Sequence, residues 1–171
     1  MTSNRPIIND WEFKGQKVRF HFYDGDDTEE FKPYTQSYAI PFTEDGKIVI
    51  GRHDADYDDW HTPGGKIERG EHPDDAMIRE LDEELSLEVL KFKLVGAQLV
   101  EYINSDKPSH YQLRYVASVR LKTLTPDPDG KGLWERKLVD PEEFERFVKW
   151  GDIGKHLLKR GREQYLKWKQ K

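Results

Sequence analysis

The sequence predicts a layered domain of the α/β or α+β class, in which strands alternate with a few helices. Short runs that alternate apolar and polar residues indicate strands, and one strongly amphipathic stretch near the middle of the chain indicates a helix. No repeat, low-complexity tract or Pro/Gly/Ser-rich linker divides the 171 residues, so we expect a single domain.

The elements can be assigned in chain order from local signals. The segments with strand-like patterns are residues 18–23, 38–42, 47–51, 89–102, 111–121 and 133–139. Pro73–Leu85 is predicted as a helix, because proline stands in its first turn and Asp74 and Asp75 lie at its positive dipole end. A helix start at Asp140 and one or two C-terminal helices, broken near residues 151–154, complete the chain.

The composition excludes several classes of function. The formal net charge of −5 disfavours a nucleic-acid partner. Because the chain has no cysteine, disulfides, thiolate zinc sites and cysteine nucleophiles are excluded. No secretory signal is visible, and no apolar run approaches the roughly 18 residues of a membrane span. We therefore expect a cytoplasmic protein with no membrane partner.

The predicted helix carries three glutamates on one side. At about 100° per residue, Glu80, Glu83 and Glu84 fall on one arc, and the apolar residues fall on another. Like charges at these spacings repel one another unless a cation lies between them, and Mg²⁺ prefers oxygen ligands together with substrate phosphates. The cluster therefore predicts a divalent-metal site for phosphate chemistry.

An isolated glutamate triplet is most often a solvated helix face, but this one belongs to a longer pattern. The residues at fixed offsets are Gly65, Glu71, Arg79, Glu80, Leu81, Glu83, Glu84 and Leu87. In this segment the chain resembles the Nudix hydrolases, whose box reads GX5EX7REUXEEXGU, with U a bulky aliphatic residue. Ser86 stands where the family has glycine, and we expect it to cost about 1 kcal/mol or less of local stability.

The resemblance implies a fold and a reaction. The fold would be an α/β/α sandwich with a mixed β-sheet, as one domain over residues 1–171, with a core at about 35–150 and a helical extension at 151–171. The reaction would be hydrolysis of the pyrophosphate bond of a nucleoside diphosphate linked to another group, as in an NTP, a nucleotide sugar or a dinucleoside polyphosphate. The hydrolysis would be metal-assisted, without a covalent intermediate.

The resemblance also implies roles for individual residues. The ligands of Mg²⁺ or Mn²⁺ would be the carbonyl of Gly64 and the carboxylates of Glu80, Glu83 and Glu84. Glu71 and Arg79 would orient the box. The general base would be Glu83 or Glu84, or else an acid from a later segment; the candidates there are Glu101, Asp127, Asp129 and Glu135.

Substrate recognition is less specified by the sequence. Several aromatic residues could stack on a base, although aromatic residues in such a domain are more often part of the core; they are Tyr57, Trp60, Tyr102, Tyr111 and Trp134. Arg52 could meet a phosphate, with a surface ion pair as the equally weighted alternative.

Two other functions remain open from the sequence. One is a sensor domain that binds a nucleotide without cleaving it. The other is processing of RNA 5′ ends, for which the basic segment 155–171 is the only support, and a packed amphipathic helix is the favoured interpretation of that segment. The expected partner is a small nucleotide-type substrate, and a homodimer is left open.

Overall fold

The computed structural model of the chain describes residues 5–53, 59–129 and 132–171. In this part of the chain, eight strands form one sheet in the order β1-β2-β6-β7-β3-β4-β8, and β5 pairs with β3. The strands are β1 (Ile7–Phe13), β2 (Gln16–Asp24), β3 (Tyr34–Phe42), β4 (Ile48–His53), β5 (Gly64–Lys66), β6 (Leu87–Tyr102), β7 (His110–Leu121) and β8 (Trp134–Val139). The helices are α1 (Pro73–Leu85), α2 (Phe144–Phe147) and α3 (Gly151–Lys169), with 3₁₀ turns at Thr28–Phe31 and Pro141–Glu143.

The sheet is mixed and has an apolar core on each face. Strands β3 and β7 run parallel, whereas the other pairs are antiparallel. One core packs against α1 through Met77, Leu81 and Leu85. The other packs against α2 and α3, with Phe144 and Ile153 fully buried. The helices therefore cover both faces, and the predicted α/β/α sandwich with a mixed sheet is confirmed.

The basic C-terminal segment is the packed helix α3. Its Leu157 is buried, and Leu158, Tyr165 and Trp168 pack against the same core. The break between the C-terminal helices lies between Phe147 and Gly151, slightly earlier than the predicted break at 151–154. Helix α3 begins at Gly151 and continues through position 154. None of the described helices is long and apolar enough to cross a membrane.

The hairpin of β1 and β2 contains a strand that the sequence patterns did not predict. Ile8, Trp11 and Phe13 in β1 are each about half exposed, so no buried face marks the strand. The usable signal in the sequence was Gly15, because glycine favours the positive φ that two-residue hairpin turns require. In the structure, Lys14 and Gly15 both have positive φ (48° and 77°).

Candidate active site

Helix α1 positions the glutamates of the box. Its bounds agree with the prediction, and the His72 side chain caps it by accepting a hydrogen bond from the Asp74 N–H (3.2 Å). The face that carries Met77 and Leu81 is buried against the sheet, which fixes the rotation of the helix. The side chains of Glu80 and Glu83 are consequently held at the partly exposed edge of the helix.

Arg79 lies at the centre of the acidic cluster. Its Nη1 donates to Glu80 Oε1 (3.0 Å) and to Glu83 Oε2 (3.1 Å). Its Nε and Nη2 donate to the two oxygens of Glu71, at 2.8 and 3.0 Å, and Nη2 also donates to the carbonyl of Lys66 (3.0 Å). One guanidinium thus ties the loop that precedes α1 to two carboxylates on the helix.

The pairing of Glu71 with Arg79 perturbs both groups. The hydrogen bond from Arg79 lowers the pKa of Glu71, while the same bond raises the pKa of Arg79. Glu71 Oε2 also accepts a hydrogen bond from the Glu68 N–H (2.9 Å), which further favours the charged carboxylate. Glu71 therefore stays ionised and holds the loop in place.

The two glycines of β5 allow close approach at the other side of the cluster. The Gly64 N–H donates to Glu84 Oε2 (3.2 Å), and Glu84 is 7% exposed. A Cβ on Gly64 would lie 2.3 Å from the carbonyl oxygen of Ser37. A Cβ on Gly65 would lie 2.7 Å from the Glu80 carboxylate. The Glu80 carboxylate therefore occupies space that any other residue at position 65 would fill.

Ser86 ends α1 in the left-handed conformation that the glycine of the box would adopt. Its φ is 51° and its ψ is 52°, and its N–H donates to the carbonyl of Asp82 (2.9 Å). Its Oγ accepts a hydrogen bond from the Thr125 N–H (3.0 Å). The serine thus carries the backbone cost of a side chain at positive φ, and its hydroxyl satisfies a nearby backbone donor.

The glutamates predicted to bind a metal ion are arranged around other groups of the protein in this structure. In residues 5–53, 59–129 and 132–171, no three carboxylate or imidazole side chains converge closely enough to bind an ion as they stand. Glu80 and Glu83 instead converge on Nη1 of Arg79, and Glu84 lies against Gly64. A positive charge already lies between two of the predicted ligands, and it is supplied by the arginine.

Of the predicted substrate residues, Arg52 and Trp60 lie together. The Arg52 guanidinium lies 4.8 Å from the centre of the Trp60 ring, and its Nε donates to Glu135 Oε2 (2.9 Å). The surface ion pair that we considered for Arg52 is therefore present, and it also engages Glu135, one of the candidate bases. Trp60 lines a large cavity on the α3 face of the sheet.

Among the described residues, the other two predicted substrate residues do not line this cavity. Trp134 packs with the core on the α1 face, and its Nε1 donates to Asp127 Oδ2 (3.1 Å). Tyr102 lies at the end of β6, where Lys107 is 5.3 Å from its ring centre, and it does not line the cavity among the described residues. Tyr111 packs against the core on the α1 face. Tyr57 lies outside the described residues.

The candidate bases from later segments have other contacts. Glu101 Oε2 lies 2.8 Å from Nε2 of His21. Asp127 Oδ1 accepts a hydrogen bond from the Asp129 N–H (2.9 Å), which is the ordinary turn geometry that the Asp-Pro-Asp-Gly sequence favours. The two helix glutamates, Glu83 and Glu84, are themselves part of the acidic cluster described above.

Arg114 is a cavity residue that the sequence analysis did not name. It lies on β7 and lines the same cavity as Trp60, yet only 5% of the residue is exposed. Burial lowers its pKa to about 10. The usable signal was an arginine in the middle of the strand, directly between the buried residues Leu113 and Tyr115.

Comparison with known proteins places the chain in a family. The profile of the NUDIX domain matches residues 33–169. An RNA pyrophosphohydrolase from Bartonella clarridgeiae is 29% identical over 141 residues, which cover 68% of this chain and 82% of that protein. The chain therefore belongs to the Nudix family, and the expectation of a pyrophosphohydrolase is confirmed.

Solved structures support the same fold. The Bacillus subtilis pyrophosphohydrolase BsRppH superposes with a TM-score of 0.66 at 20% identity, covering 91% of this chain and 97% of that one. The MutT protein from Bacillus halodurans superposes with a TM-score of 0.54 at 21% identity, covering 72% and 80% of the two chains. At these identities the likeness concerns the fold.

Proposed function

We propose that this chain is a divalent-metal-dependent hydrolase that cleaves the pyrophosphate bond of a nucleoside diphosphate linked to another group. The observation that carries the proposal is the convergence of Glu80 and Glu83 on a single cationic nitrogen of Arg79, beside a glycine that leaves room for one of them. The acids of the box, Glu71, Glu80, Glu83 and Glu84, outnumber this one guanidinium, and the net negative charge favours an additional, exchangeable cation.

The residues present fit such an ion. Carboxylate and carbonyl oxygens are the donors that Mg²⁺ and Mn²⁺ prefer, and the three glutamates lie on one helix beside Gly64. Glu80, Glu83 and Glu84 would hold the ion together with the Gly64 carbonyl. When bound, such an ion neutralises pyrophosphate oxygens and acidifies a coordinated water.

The protein's own groups would have distinct tasks in this reaction. Glu83 or Glu84 would take the proton from the attacking water, because these carboxylates belong to the cluster where phosphorus would lie. Glu71 would keep Arg79 in place, since both guanidinium edges are already engaged with carboxylates. Arg79 would thereby orient the box without contacting the reacting atoms.

The proposal can be tested by matched substitutions on one helix. Wild-type protein with Mg²⁺ is incubated with NTPs, nucleotide sugars, ADP-ribose and dinucleoside polyphosphates, and released phosphate or nucleotide is measured. E83Q and E84Q should lower kcat/KM by about 100-fold or more, because they remove charge and keep shape. The control is D82N, since Asp82 lies on the same helix but pairs with Lys122 at an exposed position. Full activity of E83Q and E84Q would show that the site is wrongly assigned.

A second candidate function is removal of pyrophosphate from RNA 5′ ends, because the Bartonella clarridgeiae relative carries that name. Because of this relative, our expectation that the chain has no nucleic-acid partner is not supported. Deleting residues 155–171 would remove the buried Leu157 and damage the core, so the test uses K159Q and K167Q at exposed positions of α3. If RNA is the substrate and binds along α3, these changes should raise KM for 5′-triphosphorylated RNA and leave KM for free nucleotides unchanged.

The sensor alternative predicts a different result in the same assay. A sensor would bind nucleotide tightly and release no product with either Mg²⁺ or Mn²⁺. The complete set of box acids, together with Arg79, favours catalysis over this alternative.

A further inference from the structure

One edge of the sheet is open along the first half of β6. On one side, residues 87–100 of β6 pair with β7. On the other side, pairing with β2 begins only at Gly96, and the Gly25 N–H adds one hydrogen bond to the carbonyl of Val95. Among the described residues, no strand pairs with the outer side of residues 87–94, which we call the β6 edge. Its outward backbone groups are therefore available to another strand.

Two large apolar side chains are exposed along the β6 edge. Leu90 is 46% exposed and Phe92 is 38% exposed, and charged residues flank them. Leu90 lies at a bulge, because the pairing with β7 shifts between Val89 and Lys91. Lysines and bulges commonly prevent an edge from pairing at random. We therefore expect this edge to accept only a partner whose charges match its own.

The bulge decides which side chains of the β6 edge share a face of the sheet. Glu88 and Lys93 lie on one face, because their partners on β7 are four residues apart. Val89 and Phe92 lie on the opposite face, because their partners on β7 are two residues apart and alternate with the first two. Without the extra residue Leu90, neither pair would share a face.

We propose that the β6 edge pairs with the β6 edge of a second copy of this chain, in antiparallel orientation, about a twofold axis just after Leu90. Such an axis places Glu88 opposite Lys93 of the partner subunit. It also places Val89 opposite Phe92 of the partner subunit. Each pair joins side chains of the same face, as antiparallel strands require. The two bulges lie opposite each other, so both strands have the same number of residues between the matched pairs.

The charges favour this register over two others that keep the faces matched. In the proposed register the axis repeats the Glu88–Lys93 contact, so the interface contains two attractive pairs. An axis at Phe92 would place Lys91 opposite Lys93 of the partner subunit, and like charges that face each other directly are destabilising. An axis one residue nearer the start of the strand would place Lys93 of the partner subunit opposite Ser86, which ends α1 and lies outside the strand.

Pairing of the two edges would cover the exposed apolar residues and leave the candidate active site open. Leu90 would lie beside the axis, and Phe92 would pack against Val89 of the partner subunit. The β6 edge contributes no residue to the cavity lined by Trp60, nor to the acidic cluster around Arg79. The inference is therefore independent of the proposed function.

Charge reversal tests the interface in the full chain. Sedimentation of the wild type should show a monomer–dimer equilibrium between micromolar and submillimolar concentration. K93E and E88K should each raise the dimer dissociation constant by at least about tenfold, because each change converts two attractive contacts into like-charge contacts. The control K159E alters the net charge as K93E does, at an exposed position of α3, and should leave the dissociation constant within about twofold of wild type.

Mixing the two reversed variants tests the register. In a mixed dimer of K93E and E88K, each acidic side chain again faces a lysine, so the mixture should dimerise although neither variant does so alone. A wild type that stays monomeric at every concentration, or a dimer that responds to only one of the two reversals, would overturn the inference. A mixture that fails to recover the dimer would overturn it as well.

Introduced cysteines test the same contact independently of charge. Because the chain has no cysteine of its own, a disulfide can form only where one is introduced. Under mild oxidation, a mixture of E88C and K93C should give a covalent dimer, since these positions face each other across the axis. Either variant alone should not, because identical positions lie apart along the strand. Equal cross-linking in the mixture and in the separate variants would overturn the inference.

Discussion

Substitution of Gly65 by alanine tests whether the position of the Glu80 carboxylate affects catalysis independently of the stability of the fold. Gly65 does not adopt positive φ, so its backbone accepts alanine without strain. The added Cβ would lie 2.7 Å from the Glu80 carboxylate, and an ordinary contact begins at 3.4 Å, so the carboxylate must move by about 0.7 Å. A displacement of this size at a reacting centre costs one to two orders of magnitude in rate.

We therefore expect G65A to lower kcat/KM at saturating Mg²⁺ by at least about tenfold, or about 1.4 kcal/mol in the activation free energy. The free energy of unfolding should change by less than about 1 kcal/mol, because alanine at a compatible position also reduces the entropy of the unfolded chain. The measurements are steady-state kinetics on the best substrate of the panel and urea unfolding of the same preparation.

The matched control is G70A in the same loop. Gly70 has a φ of 81°, and nothing lies within 4 Å of the position of its Cβ. G70A should cost about 1 kcal/mol of stability through backbone strain and leave kcat/KM within about twofold of wild type. If G65A retained full activity, or if the two variants lost activity in proportion to stability, the argument that Gly65 makes room for Glu80 would be refuted.

Three further predictions concern the box and the cavity. E71Q should lower the free energy of unfolding at pH 7 by about 1–3 kcal/mol, because Arg79 loses a charged bidentate partner. The lowered pKa of Glu71 means that this stabilisation is complete above the usual glutamate range and is lost as the pH falls through the folded-state pKa; acid titrations of stability should show this component in wild type and not in E71Q. S86A should cost about 1 kcal/mol in urea unfolding and S86G less, because both remove the acceptor of the Thr125 N–H but only alanine keeps the strain at positive φ. W60A should raise KM severalfold in steady-state assays, whereas Y102A should not, and equal effects would show that the cavity is not the substrate site.

The parts of the fold with strong local signals could be predicted from the sequence. Helix α1 has proline at its start, acids in its first turn and an apolar stripe, and its bounds were predicted without error. Strand β1 lacked such signals because its apolar residues are half exposed. Strand β5 has only three residues, two of them glycines, and it forms because β3 offers an edge with which to pair.

The candidate site likewise has a part that the sequence predicts and a part that it does not. The acids of the box follow one another along a single helix and its loop, so their spacing alone brought them together. The interaction of Arg79 with Glu71, across eight positions, depends on how the loop folds back. The cavity draws its walls from segments that are distant in the chain, so no local pattern reveals that Arg114 lines it.

The β1–β2 hairpin lies before residue 33, where the match to the family begins, yet Trp11 and Phe20 from this hairpin form part of the cavity wall. Part of the cavity wall is thus supplied by a segment that lies outside the match to the family. Occupancy of the cavity should slow amide exchange in an outer strand that contributes nothing to the chemistry. Exchanging the hairpin for one with other side chains should retune what is bound while the cleavage step is preserved.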